Sequence, residues 1–479
     1  MKPFFSTVIL NTATIIFSGL CWYLSHGLTG DYWYLLWLAP IPVLILSFQS
    51  KAGTAFFISF IAYLIGRLSW FSYLESVATI VPATIFTLML PLVFALVVIL
   101  ARRTVIGTTH WWPAFAFPVF WTSFELLLFK FSADGTAGSI AYSQLNMLPL
   151  IQVASVTGVL GISFIVTFIP SAVATCWYYR KQKNKLKYLA ITSVAIVAAV
   201  FIFGAIRISG DANKNTVKVG LIVLEENLHN ITDHPDAQKE ILLSKHYAEA
   251  ITTLAAKGPQ LIVLPERAIN ITKETDSAVM NILSAAAKQN HIVLVAGYTN
   301  FKEEPARNSA MVINADGLLG TSYNKVHLVT GLENQFTPGN EIGLFKFNGI
   351  QAGVAVCKDL DFPDYIKKYG DNNVSFLYIP AWDFVTDDWL HARMAVLRGV
   401  ENGFSEIRAA RQGRLTISDY YGRINFEASS AAGNAVTLTG EVSLENSKTF
   451  YSRFGNWFGI LNLIAAGFFI FLTKKKIKA

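Results

Sequence analysis

Val217-Lys218-Val219-Gly220-Leu221-Ile222-Val223-Leu224 marks the point where this chain changes character. The stretch is short, apolar and rich in β-branched residues, which reads as a buried strand. Four more runs of the same kind follow: Gln260–Leu264, Ile292–Ala296, Ala352–Val356 and Val374–Ile379. Helical stretches such as Ala237–Ala256 and Asp276–Gln289 separate them. Strands alternating with helices predict a layered α/β domain over residues 215–448.

Upstream, residues 1–210 are a series of apolar runs: about 5–25, 33–49, 54–73, 80–100, 111–131, 150–178 and 187–206. Each is near the roughly 20 residues that a helix needs to cross a bilayer. The second is short and holds Pro40 and Pro42, and the sixth is long enough to tilt or break. The first is too long for a signal-peptide core and no small-residue cleavage site follows it, so it reads as a helix. Downstream, within 455–479, Trp457–Leu472 is one further apolar run, closed by Lys474, Lys475, Lys476 and Lys478. The expectation is a polytopic α-helical membrane domain of about eight transmembrane helices carrying one α/β domain.

Composition agrees. The 479 residues are 53% hydrophobic and only 15% charged, whereas a soluble domain carries about 25% charged residues. A water-soluble single domain is therefore excluded, and so is disorder. The net charge of +7 does not point to nucleic acid, because many of the cations sit in short runs between apolar segments. Lys51, then Arg102 and Arg103, then Arg180, Lys181, Lys183, Lys185 and Lys187 occupy alternate connections; His26–Tyr32, Leu74–Thr79 and Ser132–Pro149 contain no Lys or Arg. That alternation predicts both termini in the cytoplasm and the α/β domain on the far side, the periplasm of a Gram-negative inner membrane. Within the membrane runs Arg67 and Glu125 are the conspicuous ionisable residues. Such residues are functional candidates by default, although bracing one helix against another, or snorkelling to an interface, would also account for them.

The candidate chemistry lies at strand ends. Cys357 closes Gly353-Val354-Ala355-Val356 and precedes Lys358-Asp359-Leu360-Asp361. A thiol on a turn after a strand is where α/β enzymes expose a nucleophile. Glu266 follows the run Gln260–Leu264 through Pro265, and Lys325 lies in Tyr323-Asn324-Lys325-Val326-His327-Leu328 after a strand-like stretch. A carboxylate, an ammonium and a thiol brought to one sheet edge form a working set: base, cation and nucleophile. Taken singly, Glu266 and Lys325 read as surface residues after strands. Cys21 and Cys176, inside membrane runs, read as small buried hydrophobes. Three widely spaced cysteines do not make a disulfide framework, and the histidines show no metal-ligand spacing.

These residues resemble the Glu-Lys-Cys triad of the nitrilase superfamily, in the family's order and roughly at its spacing: Glu266, Lys325, Cys357. Glu333 stands where the family has a second glutamate that supports the lysine. Arg398-Gly399-Val400-Glu401-Asn402-Gly403 is similar to the helix that follows the nucleophile. Outside this region Trp121–Glu125, Ala141-Tyr142-Ser143-Gln144, Pro149-Leu150-Ile151-Gln152 and Gly158–Phe164 resemble the membrane motifs of the apolipoprotein N-acyltransferases, as does Lys325-Val326-His327-Leu328-Val329. Where that family usually has Cys-Tyr-Glu and Phe-Gly-Glu, this chain has Cys357-Lys358-Asp359 and Gly331-Leu332-Glu333, the mark of a divergent branch.

The resemblance implies a nitrilase-like αββα sandwich and a two-step acyl transfer. Cys357 takes a fatty acyl chain from a membrane phospholipid as a thioester, and the amine of a diacylglyceryl-cysteine at the start of an apolipoprotein then takes it from Cys357. Glu266 acts as the base, Lys325 holds the oxyanion, Glu333 and Asp359 support, and Trp382, Phe384 and Phe336 are expected to line a lipid-facing lid. Leu332 and Phe362 are further candidates for that mouth. No metal and no cofactor are implied, and a monomer is expected. The alternative is a membrane-anchored carbon–nitrogen hydrolase, an amidase in which water resolves the same thioester. A module that only binds lipoproteins is the third possibility, and it has no use for a triad.

Overall fold

The structure, a computed structural model, describes residues 2–108, 110–212, 215–229 and 234–475. The chain divides into two compact units, one comprising Met1–Ile208 with Phe454–Ala479, the other Ser209–Arg453.

The first unit is helical. Among the described residues six segments are long and apolar enough to cross a membrane: Thr7–Leu24, Ala52–Ala78, Ile80–Gly107, Trp112–Phe131, Val159–Tyr178 and Lys183–Ile208. Leu35–Gln49, Leu148–Thr157 and Trp457–Thr473 are apolar but shorter. The prolines account for the first of these: the run expected at 33–49 splits into Leu35–Leu38 and Pro40–Gln49, because Pro40 lacks an N–H and starts a new helix. The run expected at 150–178 breaks at Gly158, whose φ of +67° an ordinary residue resists. Lys476 and Lys478 lie outside the described residues. Inside the bundle Trp22, Tyr63, Phe94 and Trp121 interlock, with Tyr63 and Phe94 stacked at 4.6 Å and Trp22 edge-on to Phe94 at 5.0 Å. Glu125 is buried there, and its Oε1 accepts from Ser139 Oγ at 3.1 Å and from the Ile140 N–H at 3.0 Å. That carboxylate ties the Trp121–Glu125 helix to the segment after it.

The second unit is a sandwich of two sheets. Its strands are β1 (Thr216–Val223), β2 (Leu261–Val263), β3 (Ile269–Ile271), β4 (Val293–Asn300), β5 (Arg307–Ile313), β6 (Leu319–Asn324) and β7 (Gly343–Phe347). They continue with β8 (Ile350–Val354), β9 (Phe376–Trp382), β10 (Ser405–Arg411), β11 (Arg414–Ser418), β12 (Ile424–Ser429) and β13 (Val436–Ser443). One sheet runs β13-β1-β2-β4-β5-β6, with β3 paired to β4, and the other runs β12-β11-β10-β9-β8-β7. Each has a parallel centre, β1-β2-β4 and β8-β9-β10, flanked by antiparallel strands. Parallel neighbours need crossovers, which the helices Ala237–Ala255, Asp276–Gln289, Pro363–Asp371 and Asp388–Asn402 supply.

Both faces of the central strands are therefore buried, which explains their unbroken apolar runs. Val217, Val219, Leu221 and Val223 of β1 meet Val354, Val356, Phe376 and Tyr378 between the sheets. Ile222, on the other face of β1, packs with Tyr247 and Leu283 of the first two helices. Tyr369 and Ala395, from the other two helices, cover the second sheet. The layers are thus helix, sheet, sheet, helix.

Candidate active site

The candidate residues gather where strands end. β2 stops at Val263, and Leu264-Pro265 carries the chain to Glu266, whose N–H donates to Ala381 O at 3.3 Å. Gly297 of β4 makes room for that segment, since a Cβ there would stand 2.7 Å from the Glu266 Cα. Lys325 is the residue after β6, and its N–H donates to Asn308 O at 2.9 Å. Cys357 opens the short turn Cys357–Asp361 with a φ of +43°. For a residue with a Cβ this region costs roughly 1–3 kcal/mol and persists only where its surroundings impose it.

Asp359 imposes it. One oxygen of its carboxylate accepts from the N–H groups of Val326 and His327 at 3.1 and 2.8 Å and faces His327 Nδ1 at 3.0 Å. The other accepts from the Val356 N–H at 3.0 Å and from Tyr323 Oη at 2.6 Å. The shortened acid of Cys357-Lys358-Asp359 therefore staples the turn carrying the thiol to the loop carrying Lys325. Lys358 is buried beside it.

Lys325 Nζ donates to Glu266 Oε1 at 2.7 Å and to Glu333 Oε2 at 2.8 Å, with all three side chains buried. Asn308 of β5 completes the arrangement, its Nδ2 reaching Glu266 Oε1 and Glu333 Oε1, each at 2.6 Å. The Val329 N–H donates to Glu333 Oε2 as well, at 2.7 Å, and so helps to fix that carboxylate. Sequence reasoning missed Asn308.

The electrostatics follow from this packing. Burial works to strip the proton from Lys325, but Glu266 and Glu333 outweigh it and hold the ammonium well above the usual lysine range. Burial likewise opposes the charge of Glu333, and Lys325 prevails, keeping its carboxyl below the ordinary value. The Cys357 thiol goes the other way: burial pushes it well above its ordinary value, Glu266 adds to that, and Lys325 opposes it. At rest the sulfur is a thiol, and its Sγ donates to Trp382 O at 3.5 Å. A half-buried thiol beside a carboxylate and a permanent cation suits a nucleophile that ionises only as it reacts.

The loop after β9 is held by ion pairs. Asp383 is gripped by Arg408 of β10 at 2.5 and 3.0 Å. Burial disfavours the His391 cation, yet Asp387 and Asp383 outweigh it and lift that imidazole to about 9. Trp382 is half-buried, with Arg411 stacked 4.2 Å over its ring and its Nε1 donating to Gln412 Oε1 at 2.9 Å. Phe384 is also half-buried. Phe336 is not at the surface as a lid residue should be: the turn holding Glu333 tucks it inside, with the Arg267 guanidinium 5.0 Å over its ring. Phe362 is likewise engaged, stacked on His327 at 3.8 Å. Leu332 and Val385 are the exposed apolar residues of these loops. In Arg398–Gly403, Arg398 Nε meets Glu401 Oε2 at 3.2 Å, both fully buried, and Gly403 ends the helix at a φ of +80°. That motif is architectural.

Known proteins resemble this chain across both units. The carbon-nitrogen hydrolase family model matches residues 234–444, and that of the apolipoprotein N-acyltransferase N-terminal domain matches residues 18–172. An apolipoprotein N-acyltransferase of Geobacter metallireducens is 25% identical over 85% of this chain and 81% of its own length. One from Rickettsia typhi is 25% identical over 66% of this chain and 67% of its own. The apolipoprotein N-acyltransferase 1 of Treponema denticola is 22% identical over 96% of both chains. With its helical unit and its sandwich each matching the corresponding half, this multi-pass membrane protein belongs to the apolipoprotein N-acyltransferase family, within the nitrilase or carbon–nitrogen hydrolase superfamily.

Proposed function

We propose that the protein N-acylates lipoproteins, moving a fatty acyl chain from a membrane phospholipid to the amine of a diacylglyceryl-cysteine through a thioester on Cys357. The observation that carries this reading is the Lys325 ammonium clamped between Glu266 and Glu333, acting on a thiol that sits on a strained turn.

In the first step the Cys357 sulfur bonds to the ester carbonyl carbon and its proton passes to Glu266. The carbon–oxygen bond then breaks, and Glu266 returns the proton to the departing lysophospholipid. In the second step the acceptor amine bonds to the thioester carbon, the carbon–sulfur bond breaks, and a proton moves from the amine through Glu266 back to sulfur. Lys325, with a backbone N–H near the nucleophile, meets the negative oxygen of each tetrahedral intermediate. Glu333 and Asn308 orient Lys325 and Glu266 without touching the acyl group. Trp382 and Phe384 would line the mouth through which the chains enter, with no metal or cofactor involved.

A membrane setting fits this chemistry. Drawing an acyl chain into water costs about 0.8 kcal/mol per methylene, and an enzyme anchored in the bilayer avoids that. The Lys and Arg alternation supports the inner membrane, with the sandwich on the periplasmic side and both termini in the cytoplasm. The chain would work as a monomer with the bilayer as its medium.

Mass spectrometry of the full chain tests the reading. Incubation with phospholipid should add one acyl mass to Cys357, and a diacylated peptide should then remove it and gain the same mass. Fatty acid released at the same rate with and without the peptide would assign the protein to the hydrolases instead.

A further inference from the structure

Val385 is exposed and β-branched, yet its φ is +62°. Glycine enters that region freely, whereas valine there is an outlier. The Thr386 N–H donates back to Phe384 O at 2.6 Å, so Val385 is the middle of a three-residue turn in its rare, strained hand. A backbone of this kind persists only where its surroundings impose it.

Two acids and one imidazole impose it. Asp383 and Asp387 flank Val385 and are both buried. His391, in the first turn of the helix Asp388–Asn402, places Nδ1 3.1 Å from Asp387 Oδ2 and 3.7 Å from Asp383 Oδ1. Asp387 Oδ1 accepts from the Phe384 N–H at 3.0 Å, and Asp387 O accepts from the His391 N–H at 3.0 Å. Asp361, in the turn that opens with Cys357, adds its negative field to those of Asp387 and Asp383 and helps to keep the imidazole charged. Arg408 grips Asp383 from β10 in any case, so the imidazolium acts chiefly on the Asp387 end. The helix dipole opposes a cation in a first turn. His391 therefore serves the loop and not its own helix.

The loop meets the chemistry at both of its aromatic residues. Trp382, which opens it, accepts from the Cys357 Sγ on its carbonyl oxygen at 3.5 Å. Phe384, next to the strained residue, is half-buried at the proposed mouth. We propose that His391 is a positioning residue for acyl transfer: its imidazolium clasps Asp383 to Asp387, holds Val385 in the strained turn, and so keeps the Trp382 carbonyl and Phe384 in place around the thiol. The inference rests on the acyl-transfer reading for its effect on turnover, whereas access to the thiol is measured without turnover.

The test follows alkylation of Cys357 by N-ethylmaleimide in the full chain, held in a neutral maltoside detergent. Mass spectrometry resolves the site, because Cys21 and Cys176 are also free thiols. The reagent reaches a covered sulfur through the open loop, so its rate follows the open fraction. His391→Gln should speed alkylation about tenfold and slow acyl transfer by about the same factor. Val385→Gly, which takes a positive φ without strain, should slow alkylation about threefold by itself. Added to His391→Gln, it should restore much of the lost cover and activity. In His391→Gln, amide exchange should rise in residues 382–388 alone. A rise spread across 215–453 would assign His391 to general stability and overturn the proposal, as would unchanged alkylation. Should His391→Gln fail to fold, Val385→Gly decides alone: alkylation as fast as in the unaltered chain, or faster, overturns the clasp. Alkylation as expected in a chain that transfers no acyl group would support the clasp and overturn the transfer reading.

Discussion

Lys325 and Arg67 are both buried cations, one in each unit, and the protein treats them in opposite ways. Lys325 has two carboxylates within 2.8 Å, and a shared asparagine holds those carboxylates in turn. Arg67 has an aromatic ring and a cleft. A cation answered from within is fixed in place and is useful for stabilising charge that appears during a reaction. A cation left to a ring is held by the negative face of the indole instead. Glu406 of β10 shows a third solution: it is fully buried, neither oxygen has a hydrogen-bond partner, and burial lifts its carboxyl to about 8, with Arg408 and Arg393 opposing. It meets the problem by keeping its proton.

Removing the answered cation should have the largest effect. Lys325→Met leaves Glu266 and Glu333 buried without their shared partner. Loss of one half of a buried pair costs about 3–5 kcal/mol of stability, and acyl transfer should fall by about a thousandfold or more. Transfer of a labelled chain to a diacylated peptide reads this, with Cys357→Ser as the blank. A variant retaining a tenth of the activity would show that Lys325 is there for architecture.

Glu406→Gln should act oppositely. The folded state holds the Glu406 proton up to about pH 8, whereas an unfolded chain releases it near 4.3. The folded state therefore binds the extra proton between those values, and wild-type stability falls as pH rises through that window. The amide has no proton to lose, so the variant should be more stable by up to about 4 kcal/mol at pH 7 and no more stable below pH 4. Thermal unfolding of the detergent-solubilised chain at the two pH values checks it, and an equal effect at both would show that ionisation is not the cause.

Asn308→Ala tests the smallest of the three effects. It removes one donor from each glutamate while leaving the Lys325 contacts in place. Activity should fall about ten- to a hundredfold, chiefly in kcat, since the side chain does not reach the acyl group. A change confined to KM would place Asn308 in substrate binding instead.

These residues also show which parts of the site could be read from the chain alone. Glu266, Lys325 and Cys357 each follow an apolar or strand-like run, and position along a strand is a one-dimensional signal. Asn308 gives no such signal: it follows Arg307 at the start of β5, and its importance comes from two glutamates converging in space. The membrane helix Lys183–Ile208 was legible because length and hydropathy define it, and only 11% of its apolar window is buried within the unit. β3, with three residues, is too short to stand out. β10, Ser405–Arg411, is buried throughout although Glu406, Arg408 and Arg411 interrupt it. A pattern that assigns charges to water cannot anticipate that Asp383 and Glu226 pair with two of them. Phe336 was misplaced for the converse reason, since an aromatic ring in a loop looks exposed until an arginine covers it.

The Asp359 carboxylate joins three stretches of backbone that are separate along the chain: Val326 and His327, Val356, and its own turn. One rotation of that group would release the segments together. In amide exchange the N–H groups of Val326, His327 and Val356 should share a single opening event and a common protection. The thiol and the ammonium thus keep their alignment or lose it as one.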